Sequence, residues 1–333
     1  MRKIIALALL SFFLTSLQEP KRVRFGSVIP KDSPWEEGIN AYIKNVETKS
    51  GNKVKFKTYL GGQLGGEVEM IKSVAMGSLD AGAFTVAAVS EALSIPQLQV
   101  FELPFLFNSD EEADYVMDQM FDVMSDVFAK KGLVLIMWGT NGWRSFGTKS
   151  KPVLSPADLK GLKMRSQESD VYINFYKTMG ATPVPISTPD VLVALKTGMV
   201  DGFDQTPVFS LSTGWINTVK YFTLSKHIYQ PGCIVFSKKY FDKLSPELQE
   251  AILSKNERSA LQKSSRELIR KDDAFILSTF PDMGINVHTL SESQRDVFKK
   301  ASAPVYTTME AKMGKSVINV TNAHIRKFRE GKK

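Results

Sequence analysis

Apolar and polar positions change their period repeatedly along this chain, and each change marks an element. Val23, Phe25, Ser27 and Ile29 alternate with Arg22, Arg24 and Val28, the two-residue period of a strand. After Pro34 the apolar residues Trp35, Ile39, Tyr42, Ile43 and Val46 recur at helical spacing, and Ser50-Gly51-Asn52 stops them. A second strand is predicted over 54–60, a glycine turn over 61–66, a helix carrying Val68, Ile71, Ala75 and Leu79, and a short third strand over 80–84. Residues 110–130 read as one amphipathic helix whose methionines, at three-to-four spacing, face a core; residues 133–138 read as a buried strand.

A second series follows. Ser155-Pro156-Ala157-Asp158 has the cap, first-turn proline and acidic residue of a helix start. Residues 162–165 and 182–186 are strand-like, 171–179 helical, and Thr188-Pro189-Asp190 opens a helix ending at Gly198 before a strand or strand end over 199–205. A helical pattern then runs, with breaks, from Ser245 to about Phe280, longer than an ordinary globular helix of about 11–12 residues. Two successive α/β series in 333 residues predict two lobes. No repeat or low-complexity linker separates them, so crossing strands should join them.

Composition changes this picture mainly at the N-terminus. Met1-Arg2-Lys3 is basic, residues 4–14 are apolar apart from Ser11, and Gln18-Glu19-Pro20 ends the run. That layout predicts a secretory signal peptide over 1–18, without a clean cleavage motif and without a cysteine for lipidation. Periplasmic export is therefore expected. The formal charge of +8 is carried by dispersed lysines, such as Lys53, Lys55 and Lys57 on one face of a strand, which argues against a nucleic-acid surface. The single cysteine, Cys233, lies in an apolar run and is expected to be a buried, unreactive thiol.

Catalytic chemistry is poorly supplied. The turn at 61–66 lacks G-x-G-x-x-G spacing, and Glu67 follows it where a phosphate loop needs Lys. His227, His288 and His324 are not at metal-ligand spacing, and no H-E-x-x-H or G-x-S-x-G occurs. Asp201 and Asp204, three apart on an extended segment, face opposite sides. No enzyme, metal or cofactor is expected.

Three segments together resemble the DctP-type solute-binding proteins of tripartite ATP-independent periplasmic (TRAP) transporters. They are Leu103-Pro104-Phe105-Leu106-Phe107; Asn141-Gly142-Trp143-Arg144 continuing through Pro156-Ala157-Asp158-Leu159-Lys160-Gly161-Leu162-Lys163-Met164-Arg165; and Gly180-Ala181-Thr182-Pro183-Val184-Pro185 with Ala194-Leu195-Lys196-Thr197-Gly198-Met199-Val200-Asp201-Gly202. Weaker matches at 61–66 and 225–229 keep the same order, so the resemblance spans roughly 20–330. It implies an α/β, two-lobed periplasmic binding protein fold with a hinged cleft and a long helix crossing both lobes. The expected division is 21–141 plus 231–271 for lobe I and 142–230 plus 272–333 for lobe II. It also implies a small organic acid as ligand, delivered by a monomeric receptor to membrane permease subunits. A ligand sensor or scaffold using the same fold, for a more hydrophobic ligand, stays open as an alternative.

The resemblance carries over to particular residues. Arg165 takes the position of the family's carboxylate-binding arginine, a role that suits the planar donor fork of a guanidinium. Arg144 corresponds to a second arginine that assists some ligands, with a hinge or loop salt bridge as the alternative. Gln205 stands near a family asparagine, one residue out of register with the following Pro207. Phe203 is expected as an apolar wall or as core. Thr85 and Thr188 occupy ligand-facing positions where other members carry a glutamate and an aromatic residue. Those replacements point away from a many-hydroxyl sugar acid and toward a smaller or more apolar monocarboxylate. Trp35, Trp138, Trp143 and Trp215 are candidate cleft walls.

Overall fold

The computed structural model describes residues 19–331. The expected signal peptide lies outside the described residues. Among the described residues, nine strands form one connected sheet: β1 (Lys21–Gly26), β2 (Val54–Tyr59), β3 (Ala81–Thr85), β4 (Leu133–Thr148), β5 (Lys163–Ser166), β6 (Thr182–Pro185), β7 (Gly202–Gln205), β8 (Tyr221–Ser237) and β9 (Asn286–Thr289). Their order is β2-β1-β3-β8-β4-β7-β5-β6, with β9 also on β8.

The two longest strands make the architecture. β4 and β8 are antiparallel partners over almost their whole length. The C-terminal half of β8 pairs with β3, and its first residues pair with β9. The C-terminal half of β4 pairs with β7. One end of this ribbon therefore belongs to the β1–β3 lobe and the other to the β5–β7 lobe. Between the halves the register shifts at Leu135/Met137, Thr140/Gly142 and Arg144/Phe146. Such irregularities bend a ribbon, and here they coincide with the crossover. The predicted strand 133–138 is thus the first part of a strand that continues through the hinge.

Local chemistry explains the lobes. The helix Pro34–Lys49 starts on a Ser33 cap, with proline at its first turn and Glu36 and Glu37 behind it, and buries Trp35, Ile39, Tyr42 and Val46. β2 is an edge strand, where alternating lysines keep the unpaired edge from templating association. The predicted 110–130 helix is two helices, Asp110–Gln119 and Phe121–Ala129, because Met120 leaves the helical region at ψ 5°. The 245–280 pattern likewise divides, at the left-handed Ser254 (φ 44°), into Pro246–Leu253 and Arg258–Thr279.

The helix Arg258–Thr279 crosses both lobes: it packs on Pro34–Lys49, on β4 and on Pro207–Ser212. Arg266 and Arg270 tie it to Asp110, Asp114 and Asp118. The C-terminal helices Ala303–Met313 and Lys315–Glu330 pack on Asp170–Thr178 and Asp110–Gln119 respectively. Tyr306 donates to the Pro104 carbonyl and Arg329 pairs with Glu112. The tail assigned to lobe II in the expected division thus also braces the other lobe. Among the described residues, no helix is long and apolar enough to cross a membrane.

Candidate functional site

A cleft lies at the crossover, about 840 Å³ of empty space when the solvent at its open mouth is included, lined from both lobes and from the helix that spans them. Arg165 reaches it from β5. Its side of the strand is set by parallel pairing of Arg165 with Val184, and the residue is only 2% exposed. The guanidinium stacks over Trp215, 5.2 Å from the ring centroid, and Nε and Nη2 donate to the Ile186 carbonyl at 3.1 and 2.8 Å. Among the described residues Nη1 has no hydrogen-bond acceptor and no carboxylate lies at ion-pair distance. Burial and the nearby charge of Arg144 pull its pKa down to about 10, which leaves it protonated at neutral pH. This is a desolvated cation held rigidly by a carbonyl and an indole.

Arg144 has the opposite surroundings. It is 0% exposed and sits beneath the cleft, with Nε 2.5 Å from Asp204 Oδ2, Nη2 on the Asp204 carbonyl and Nη1 donating to Gln230 Oε1 at 2.8 Å. Tyr176 donates to the other Asp204 oxygen at 2.7 Å, and the guanidinium lies over Tyr172. Burial pushes the Asp204 carboxyl up, but Arg144 and His227 more than offset it and hold it well below the usual carboxylate range. His227 itself is lowered by burial and stacks against both Phe146 and Phe175. Phe203 is also placed below the wall: it is fully buried, edge-on to Trp215, and fills the space beside Gly147, where a Cβ would come within 2.6 Å of the ring. Arg144 and Phe203 therefore support the cleft from beneath, each already occupied by its neighbours.

The remaining expected residues do line it. Gln205, at the end of β7, accepts from Asn141 at 3.1 Å and from the Thr206 amide at 2.9 Å through Oε1, leaving Nε2 to donate elsewhere. Thr188 opens a short 3-10 turn on the opposite lip. Thr85 caps the helix Val86–Leu93, and its hydroxyl is committed: it donates to Glu67 at 2.9 Å and accepts from Gln167 at 2.6 Å. Trp35, Trp138 and Trp215 border the cleft or the adjoining groove, whereas Trp143 bonds Asp110 away from it. Cys233 lies on the floor, buried, with its thiol pushed up by burial.

Sequence reasoning passed over a polar chain on the wall. Glu67 takes the Thr85 amide at 2.6 Å as well as its hydroxyl; Gln167 joins Thr85 to Gln230, and Gln230 joins Asn141. Burial raises the Glu67 carboxyl above its ordinary range. One signal was available: Gln167 follows Arg165 by two residues, so strand period puts both on one face. Glu67 and Gln230 carried none, since their neighbours come from distant segments. Among the described residues, no group of three or more His, Cys, Asp or Glu is placed to hold a metal ion.

The lips meet across the cleft. The glycine turn after β2 lies against residues 187–189, so closely that a Cβ on Gly62 would come within 2.9 Å of Pro189 Cγ and one on Gly66 would overlap Ser187 Oγ.

Comparisons with known proteins agree in kind. The family described as bacterial extracellular solute-binding protein, family 7 (DctP) matches residues 25–313. A solute-binding protein of Verminephrobacter eiseniae is 30% identical over 84% of this chain and 82% of its own. The 2,3-diketo-L-gulonate-binding periplasmic protein of Escherichia coli is 28% identical over 87% of this chain and 91% of its own. The sugar acid binding protein DctPAm from Advenella mimigardefordensis, solved with galactonate, superposes with a TM-score of 0.88 at 27% identity, covering 93% of this chain and 99% of that one.

Proposed function

Because the chain belongs to the DctP family of bacterial extracellular solute-binding proteins, we propose that its two lobes close around a small organic acid whose carboxylate pairs with Arg165, and that the loaded receptor passes it in the periplasm to the membrane permease subunits of a TRAP transporter. The observation that carries this reading is a buried guanidinium without a carboxylate partner among the described residues. Ions taken out of water need compensation, and a ligand carboxylate provides it with two-point geometry at Nη1 and Nη2. Gln205 Nε2 and Thr188 stand by to hydrogen-bond the same ligand head. Relatives point the same way, since galactonate and 2,3-diketo-L-gulonate are both carboxylates. The β4–β8 ribbon is the element that bends as the lobes approach, because ligand contacts from both lobes favour the closed form.

Thermal-shift screening with a panel of organic acids tests the assignment. At least one acid raises the melting temperature of the native receptor, as binding to the folded state requires, and Arg165→Ala abolishes that shift with its own unliganded melting curve intact. An Arg165→Ala protein that responds to the same acids as the native one sinks the assignment.

A further inference from the structure

The cleft has two chemically different ends. At the Arg165 end stand Gln205, Gln167, Gln230, Thr85 and Glu67, joined in a hydrogen-bonded chain. At the other end, between the helices Pro34–Lys49 and Arg258–Thr279 and over the hinge strands, the wall is built from Ile39, Met137, Ile234, Leu261 and Ile269. The indole N–H of Trp35, which borders this end, is already given to the Thr140 carbonyl at 2.9 Å. Ser265 is the single hydroxyl that the spanning helix adds to the lining. The two ends belong to different halves of the β4–β8 ribbon: β5, which carries Arg165, joins through β7 to Ser145–Thr148 of β4, whereas Met137 lies before the register shifts at Thr140/Gly142 and Arg144/Phe146, paired with Ile234.

Resting on the carboxylate reading above, we infer that this receptor selects an amphipathic monocarboxylic acid, a 2-hydroxy or 2-oxo acid bearing an aliphatic or aryl tail. The carboxylate pairs with Arg165, and the 2-substituent meets the Gln205–Gln167 amides. The tail leaves water for the isoleucine, leucine and methionine wall. A polyol chain in the same place would strip water from hydroxyls that find no partners there. Glu67 adds a second filter. Its oxygens line the head of the cleft and already accept from Thr85 and Gln167, so a second ligand carboxylate there meets acceptors with no donor to offer, and dicarboxylates are refused.

Isothermal titration of the receptor with 2-hydroxyalkanoates of increasing length, 2-hydroxyhexanamide, galactonate and succinate decides the matter. Affinity rises about fourfold per methylene buried until the tail outgrows the wall, with a negative heat-capacity change. 2-Hydroxyhexanoate binds at least about a hundredfold tighter than galactonate, which has the same number of carbons. Leu261→Gln flattens the dependence on tail length while the shortest acid keeps its affinity, and Glu67→Gln admits succinate. Galactonate binding tighter than 2-hydroxyhexanoate, or affinity indifferent to tail length, overturns the amphipathic-ligand inference and leaves the carboxylate reading standing. An amide that binds as well as its acid overturns the carboxylate reading instead.

Discussion

Two arginines stand at the cleft, one lining it and one beneath it, both almost wholly buried, and they are built for different tasks. Arg144 has a carboxylate, a carbonyl, an amide oxygen and an aromatic face around it, and every neighbour is supplied by the chain. Arg165 has one carbonyl and one indole, and among the described residues no carboxylate pairs with it. Burial lowers both guanidinium groups. Asp204 more than reverses this for Arg144, whereas Arg165 stays depressed, with Arg144 adding to the effect. Burial alone therefore does not mark a binding residue. What separates floor from wall is whether the fold completes the electrostatics or leaves them for a ligand to complete.

The sharpest way to break that comparison is to truncate each arginine in turn. Arg144→Ala strands Asp204 as an uncompensated buried charge, so stability falls by about 3–5 kcal/mol in denaturant unfolding. Arg165→Ala removes a cation that was never paired, so stability changes by less than about 1 kcal/mol and ligand binding is lost instead. Equal destabilisation by the two variants would show that Arg165 belongs to the framework after all.

Glu102 tests the floor from another direction. It is fully buried, one oxygen accepts from Tyr172 at 3.3 Å, and the other has no hydrogen-bond partner. Burial pushes its carboxyl up to about 8, with Arg144 pulling the other way. A group raised in the folded state contributes stability that is fully present below its unfolded value, about 4.3, and is lost as pH rises through about 8. Glu102→Gln cannot ionise, so it loses this slope and gains about 4 kcal/mol on the native protein between pH 5 and pH 8.5. Chemical denaturation across that range checks it, and parallel pH profiles for the two proteins would refute it.

Much of this was legible in the order of residues, and the failures have a common cause. The helix starts at Ser33-Pro34 and Ser155-Pro156 were readable because caps act over three or four residues. Arg165 and Gln205 were legible as strand ends, and for both the family resemblance supplied the cleft. Arg144 and Phe203 went to the floor because Asp204 and Trp215, distant in sequence, claim them there. Glu67 was read only as a reason against phosphate. Its place on the wall depends on Thr85 and Gln167, 18 and 100 residues away. The length of β4 was underestimated for a related reason: past Trp138 the strand contains Gly139, Gly142 and Gly147, residues that locally suggest a turn but here sit opposite the β8 backbone at the hinge.

The lips of the cleft give the smallest expected effect and the cleanest separation of affinity from stability. Gly66 has φ −75° and ψ 170°, a conformation any residue adopts, so its own lobe raises no backbone objection to alanine. What opposes a Cβ there is Ser187 Oγ on the other lip, together with the Glu69 carboxylate at 2.7 Å on the same lobe. Gly66→Ala should therefore leave the unliganded melting temperature unchanged and hold the lobes slightly apart when the ligand arrives, weakening affinity about tenfold, or about 1.4 kcal/mol. Glu69 can swing away into solvent, whereas Ser187 stands on the opposite lip, where the new methyl meets it whenever the lips are together. Adding Ser187→Gly to Gly66→Ala consequently restores most of the lost affinity. Titration of both variants with an acid selected by the thermal-shift screen checks this. If the double variant binds as poorly as the single one, the obstruction lies within lobe I, and contact between the lips is not what completes closure.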